Sequence, residues 1–332
     1  MTLPHQTHGI LTYLRLKLIA VALRFLIKVT SRAPLEREKA LADSVPIAQQ
    51  KLRVPARGDQ GVGRHIDVVL YYPPSFTKEP LKKRPVLVNW HGSGWVFPLF
   101  GTDAFFLKQV ARDCDFLVLD ADYLKAPEHP FPLPLEDVED VLSWLAHPTG
   151  LIDSKQVAVS GFSAGAELAL VASTVLRTTS LQHLGVDIKA AVAFYPETDL
   201  SLSLDRKKVP HPIRPHPPWM LSFFHDSYVP DKSSRAHPAI SPSKAPGEIF
   251  PEHVIFLTCE GDNFAPETLR LAVRLGDTRE QDGTPKKVKL HHLEGVGHGF
   301  DKGCQPGSKQ SERRDEAYAV AIRFLRAAFK DV

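Results

Sequence analysis

Gln156-Val157-Ala158-Val159-Ser160-Gly161-Phe162-Ser163-Ala164-Gly165-Ala166-Glu167-Leu168-Ala169-Leu170 is a short apolar strand, a turn that needs two glycines, and a helix. Its centre, Gly161 to Gly165, fits G-x-S-x-G, in which the serine sits on a sharp strand-to-helix turn. A Cβ two residues either side of that serine would collide with the crossing helix or strand, so glycine is required at both places. The strain lifts the Ser163 hydroxyl clear of the sheet, and the following helix N-terminus favours negative charge beside it. Ser163 is therefore the candidate nucleophile, against the bland alternative of a glycine-rich turn with an idle serine.

The pattern around this stretch is strands alternating with helices. Strands are expected at 66–72, 85–90, 116–119, 157–160, 190–195, 254–258 and 288–293. Helices are expected at 135–145, after Ser163, at about 267–279 and at about 311–329. The run Pro85 to Trp90 is nearly continuous in apolar residues, as a strand buried on both faces should be. Such alternation implies an α/β fold with a mainly parallel sheet flanked by helices. From Ser201 to Phe250 the alternation stops: nine prolines and the histidines His211, His216, His225 and His237 fall there. That length implies an inserted lid rather than a loop, and the histidines lack a metal-ligand spacing.

A serine hydroxyl needs a base, a carboxylate to orient the base, and donors for the oxyanion. His298 lies in the glycine-rich loop Gly295-Val296-Gly297-His298-Gly299-Phe300, just after a strand, and is the candidate base. His291 and His292 sit inside that strand and are expected to face packing or solvent. Asp262 directly follows the strand 254–258 and is the candidate orienting carboxylate, with Glu260 and Asp301 as rivals. The loop His91-Gly92-Ser93-Gly94-Trp95 follows the strand 85–90. Backbone N–H groups of Ser93, Gly94 and Ala164 are the expected oxyanion donors. Trp95 and Phe162, with Trp219 and Phe223 of the insertion, are the candidate substrate-binding aromatics.

Composition narrows the partners. Basic residues number 41 and acidic residues 38 in 332, so nothing calls for a polyanionic partner, and no nucleic-acid signature is present. Three cysteines without a C-x-x-C give neither a disulfide framework nor a zinc site. The first 35 residues contain no Asp or Glu but carry Arg15, Lys17, Arg24, Lys28 and Arg32. Residues 10–29 read as a basic amphipathic helix, with Lys17, Arg24 and Lys28 on one stripe and Arg15 opposite. Three readings stand: a cap helix on the protein's own body, an interfacial membrane contact, or a transit peptide. The expected location is cytoplasmic or peripheral to an intracellular membrane, not secreted.

Taken together, these motifs resemble the hormone-sensitive-lipase-like group of α/β-hydrolases, the α/β-hydrolase fold-3 carboxylesterases. The resemblance runs from about Asp67 to the C-terminus. It rests on His91 to Trp95, on Asp122-Tyr123 with Ala126-Pro127-Glu128-His129-Pro130-Phe131-Pro132, and on Gly161 to Gly165. Tyr195-Pro196 with Asp199, Gly261-Asp262, and His298-Gly299-Phe300 complete it. It implies an α/β-hydrolase domain at 51–332 and a cap made from an N-terminal arm, residues 1–50, and an insertion at about 198–250. It also implies cofactor-free hydrolysis of a small-molecule carboxylic ester. Several departures mark this chain: Phe162 stands where the group has Asp, Ala166 where it has Gly, Ser93 where it has the middle glycine of H-G-G-G, and Leu124-Lys125 where it has Arg-Leu. Two alternatives remain beside hydrolysis of a moderately apolar ester. One passes the acyl group to another acceptor or makes and opens lactones; the other is a non-catalytic ligand receptor on the same scaffold.

Overall fold

The computed structural model describes residues 5–57, 63–147, 150–279, 283 and 285–330. In chain order the elements are α1 (Ile10–Thr30), α2 (Arg32–Asp43), β1 (Gln49–Pro55), β2 (His65–Tyr71), β3 (Arg84–Trp90) and α3 (Ala104–Cys114). Then come β4 (Leu117–Ala121), α4 (Leu133–Trp144), β5 (Ile152–Phe162), α5 (Ala164–Val171), α6 (Ser180–Leu184) and β6 (Ile188–Phe194). The chain closes with α7 (Pro218–Tyr228), β7 (His253–Cys259), α8 (Ala265–Gly276), β8 (Lys287–Leu293) and α9 (Lys309–Ala328).

The strands form one sheet in the order β1-β2-β4-β3-β5-β6-β7-β8. The pairs β1–β2 and β2–β4 are antiparallel, and every later pair is parallel. Because side chains alternate along a strand, each central strand feeds two cores. Val86, Val88, Val157, Val159, Ala191 and Val254 point to the side that holds α4, α5 and α8. Leu87, Val118, Ala158, Val192 and Ile255 point to the side that holds α3 and α9. The parallel strands β3, β5, β6 and β7 end at Trp90, Phe162, Phe194 and Cys259. Ser93, Ser163, Tyr195 and Asp262 lie just beyond those ends, the place where open α/β sheets bind ligands.

The first helix packs on the body of the protein through two of the three cations of its basic stripe. Lys17 and Arg24 face the protein, where both pair with Glu128 of the Ala126–Pro132 loop. Arg24 also donates to the carbonyls of Ala126 and Val96, at 2.9 and 3.1 Å. Leu16 and Ala20 are buried, while Leu11, Leu14, Leu18, Val21, Phe25 and Val29 are exposed. The charges were sequestered because a buried carboxylate-bearing loop lies under them, which periodicity alone does not reveal. No helix among the described residues is long and apolar enough to cross a membrane.

The insertion folds as α7 and several short 3-10 turns. Its anchor is a buried cluster. Lys207 Nζ lies 2.7 Å from Glu197 and 2.6 Å from Glu267, and His225 Nε2 lies 2.7 Å from Glu197. Removing one member of such a cluster leaves a charge buried without its partner, which costs about 3–5 kcal/mol.

Burial acts to raise the Glu128 pKa, but the bonds from Arg24 and Lys17 outweigh it and hold the carboxyl down at about 2, from an ordinary 4.5. A depressed carboxyl stabilises the fold above its unfolded value, and that contribution is lost as pH falls from 4.5 toward about 2. Glu128→Gln should therefore lower stability at neutral pH by about 1 kcal/mol, solvent screening included. The variant should also show a shallower acid limb between pH 4.5 and 2 in urea titrations followed by circular dichroism.

Candidate active site

Ser163 has φ 52° and ψ −118°, a backbone conformation that costs energy for a residue with a Cβ. Two contacts force it. A Cβ on Gly161 would lie 2.2 Å from the Gly165 carbonyl oxygen, and one on Gly165 would lie 2.0 Å from the Trp90 carbonyl oxygen. The helix α5 thus starts in backbone contact with the ends of β5 and β3, and the turn between must be sharp. Ser163 N–H donates to the Phe194 carbonyl at 2.9 Å, which pins the turn to β6.

The loops after β7 and β8 complete a chain of hydrogen bonds. His298 Nε2 is 2.8 Å from Ser163 Oγ, and His298 Nδ1 is 2.9 Å from Asp262 Oδ2. Asp262 is buried and also accepts from the N–H of Phe264 at 3.1 Å. The rival carboxylates are engaged elsewhere. Glu260 accepts from Gly295 N–H at 2.7 Å, and Asp301 accepts from the Tyr195 and Tyr318 hydroxyls at 2.5 and 2.8 Å. His291 pairs with Glu316 and His292 with Thr258, away from the serine. The glycines of the histidine loop serve a close approach more than free movement. A Cβ on Gly297 would lie 1.9 Å from the Ile213 carbonyl oxygen, and one on Gly261 would lie 2.5 Å from Ile213 Cβ. Ile213 N–H donates to the Gly261 carbonyl at 3.1 Å. The insertion is thereby wedged against the two loops that carry Asp262 and His298.

Facing the serine, the loop after β3 turns at Gly94 (φ +55°), where a Cβ would lie 2.7 Å from the Phe224 ring. Among the described residues, the backbone N–H groups of Ser93, Gly94 and Ala164 donate to no protein acceptor. Unengaged donors near a nucleophilic hydroxyl are what an oxyanion requires. The Ser93 hydroxyl is not one of them: it lies 2.5 Å from the Tyr123 hydroxyl, which in turn donates to the His91 carbonyl at 2.8 Å.

A cavity of about 360 Å³ opens above Ser163 and His298. Its walls come from α1 and α2 (Ile27, Pro34, Leu35), from the loop after β3 (Trp95, Phe97, Leu99) and from the insertion (His216, Phe224). Of the four aromatics expected to bind substrate, only Trp95 borders it. Phe162 is fully buried, stacked on Phe194 at 4.3 Å with Lys302 over its ring at 3.9 Å. Phe223 packs into the core beside Phe224, and Trp219 is 55% exposed on the outside of α7. On α7 residues 223 and 224 project about 100° apart around the axis, so of the two only Phe224 reaches the cavity. Sequence reasoning missed Leu35, Glu38 and Lys302 on the cavity wall. Glu38 accepts from Gly303 N–H at 2.6 Å, and Lys302 lies 2.7 and 2.8 Å from Asp103 and Asp301. No motif marks them, because α2 reaches the site only through tertiary packing.

Comparison with known proteins agrees with this fold. The model of the alpha/beta hydrolase fold family matches residues 87–302. Carboxylesterase NlhH of Mycobacterium tuberculosis is 29% identical over 223 residues, which is 65% of this chain and 65% of that protein. The chain thus spans a little under two thirds of that relative's length. The carboxylic ester hydrolase LipN of the same species is 28% identical over 288 residues, 79% of this chain and 71% of that protein. The structure of EstE1, a thermostable carboxylesterase cloned from a metagenomic library, superposes with a TM-score of 0.71 at 23% identity. That likeness covers 93% of this chain and 97% of the other, and it shows the fold.

The two glycine contacts carry a direct expectation. Gly165→Ala should cost about 3 kcal/mol or more, since the clash is with backbone that cannot rotate away. Gly276→Ala, where nothing lies within 4 Å, should be neutral or stabilising by up to about 1 kcal/mol. Urea midpoints of the two variants against the parent chain read both.

Proposed function

The chain belongs to the alpha/beta hydrolase fold family, and on that premise we propose that it is a serine carboxylic ester hydrolase acting on a moderately apolar small-molecule ester. The observation that carries this reading is the unbroken hydrogen-bond chain from Ser163 through His298 to Asp262, at 2.8 and 2.9 Å, on the floor of an apolar cavity. Ser163 Oγ attacks the acyl carbon while His298 Nε2 takes its proton. Negative charge on the former carbonyl oxygen is met by the N–H groups of Ser93, Gly94 and Ala164. His298 then returns the proton to the leaving alkoxide, and an acyl-enzyme remains. Water, deprotonated by His298, attacks that ester and frees Ser163. Asp262 holds the imidazole tautomer and stabilises the imidazolium. Residues 1–50 and about 198–250 serve as the cap whose inner side selects the acyl and alcohol groups. The intact proton relay also argues against a receptor that has lost its chemistry.

The same reading includes contact with a membrane surface through residues 10–29. Eight large apolar side chains of α1 are exposed, with Leu11 and Leu18 at 80% and 72%. Arg15 and Lys28 are exposed at the two edges of that stripe, and residues 1–35 contain no carboxylate side chain. An apolar face edged by cations suits a lipid surface bearing anionic headgroups.

Two experiments test these proposals. An alkyl fluorophosphonate should label the protein stoichiometrically and fail to label Ser163→Ala, while Asp262→Asn should lower kcat on a p-nitrophenyl ester by about 10³–10⁴. Label on another serine would refute the assignment. The protein should float with phosphatidylcholine–phosphatidylserine vesicles, and Leu18→Glu with Phe25→Glu should abolish flotation without slowing hydrolysis of a soluble ester. Flotation unchanged in the variant, or a dimer dissolved by the same substitutions, would reject the lipid contact.

A further inference from the structure

His216 borders the cavity, yet it takes no part in the proton relay. Its ring centroid lies 4.7 Å from that of His298, with Phe224 and Phe264 at 6.1 and 6.2 Å. Among the described residues neither of its ring nitrogens has a hydrogen-bond partner, and neither is sealed from solvent. The charged groups on the same walls are already paired: Glu38 with Gly303 N–H, Lys302 with Asp103 and Asp301, Glu197 with Lys207 and His225. His216 is thus a polar group with spare hydrogen-bonding capacity beside the catalytic imidazole, among apolar neighbours.

Its position is fixed. The segment Pro215-His216-Pro217-Pro218 leaves little backbone freedom, since three prolines lock their own φ and restrict the residues before them. Two residues upstream of Pro215, Ile213 is wedged against Gly261 and Gly297, which sets the segment in register with the loops of Asp262 and His298. Burial, and then the charge of His298, push the His216 pKa down to about 4. A neutral imidazole offers one donor and one acceptor.

The side of the substrate it meets follows from the chemistry. His298 must hand its proton to the leaving oxygen, so the alcohol part of the ester lies on the imidazole side of Ser163. We infer that His216 hydrogen-bonds a polar group on the alcohol portion of the substrate, close to the ester oxygen, and selects esters of hydroxylated alcohols over plain alkyl esters. A hydroxyl, both donor and acceptor, complements a neutral imidazole. An alkyl chain in the same place leaves the imidazole without a partner. This inference rests on the ester-hydrolase reading above.

The test compares 2-hydroxyethyl butyrate with propyl butyrate, which have the same number of non-hydrogen atoms. The wild-type protein should favour the hydroxylated ester in kcat/KM by roughly five- to tenfold, the size of one neutral hydrogen bond. His216→Phe should erase that preference in the kcat/KM ratio of the two esters, and His216→Asn should keep part of it. Fluorophosphonate labelling of Ser163 reports that each variant retains its site. A ratio near one in the wild type would overturn the inference. So would an equal fall on both esters in the variants, which would make His216 a packing partner of His298. Turnover of neither ester by wild-type protein would instead overturn the hydrolase reading and this inference with it.

Discussion

The contact between Gly165 and the end of β3 sets the geometry of everything around it. With no side chain at 165, α5 starts in van der Waals contact with the Trp90 carbonyl, and Ser163 is forced into positive φ. That approach brings the start of α5 beside the loop following β3, so the unengaged N–H groups of Ser93, Gly94 and Ala164 belong to two neighbouring segments distant in sequence. A longer turn would relieve the strain and separate those amides. The cost of the strained serine is carried by the buried parallel strands on either side, whose apolar residues feed both cores.

A second constraint joins the cap to the chemistry. Ile213 fills the space that Cβ atoms on Gly261 and Gly297 would need, so the insertion is fitted to the loops of Asp262 and His298. The buried Glu197–Lys207–Glu267 cluster holds the other side of that segment. The Ala126–Pro132 loop ties down the first helix through Glu128, and Phe131 N–H takes the Tyr228 carbonyl of α7 at 2.8 Å. The first helix and the insertion are therefore bonded to one loop, and the cavity walls they supply share a common support.

The sheet and the site were legible in sequence to different depths. Strands β3 to β7 showed as apolar runs because each is buried on both faces over most of its length. The edge strand β1 did not, since its sequence Gln-Gln-Lys-Leu-Arg-Val-Pro buries only Val54. The residues of the proton relay could be picked from among 15 histidines and 38 carboxylates because each follows a strand end in a glycine-rich loop. The cavity walls could not be read that way. Whether Phe223 or Phe224 points inward depends on the rotation of α7, and whether Leu35 and Glu38 reach the site depends on where α2 docks. Neither is a local property of sequence. The first helix is a case of the same kind: its periodicity marks the stripe, but the Glu128 loop that decides which side faces inward lies a hundred residues away.

The departures from the hydrolase pattern can be sorted by where their side chains go. Phe162 replaces an aspartate but turns away from the cavity, closing an aromatic stack with Phe194 and Phe106 under the Lys302 ammonium. A carboxylate at that place would stand next to Asp103 and Asp301, which already share Lys302. The aromatic ring accepts the cation's face without adding a third negative charge. Ser93 spends its hydroxyl on Tyr123, leaving its N–H as its contribution to the site. Ala166 is fully buried within α5. Phe162 and Ala166 do not border the cavity, whose walls come from α1, α2, the loop after β3 and the insertion.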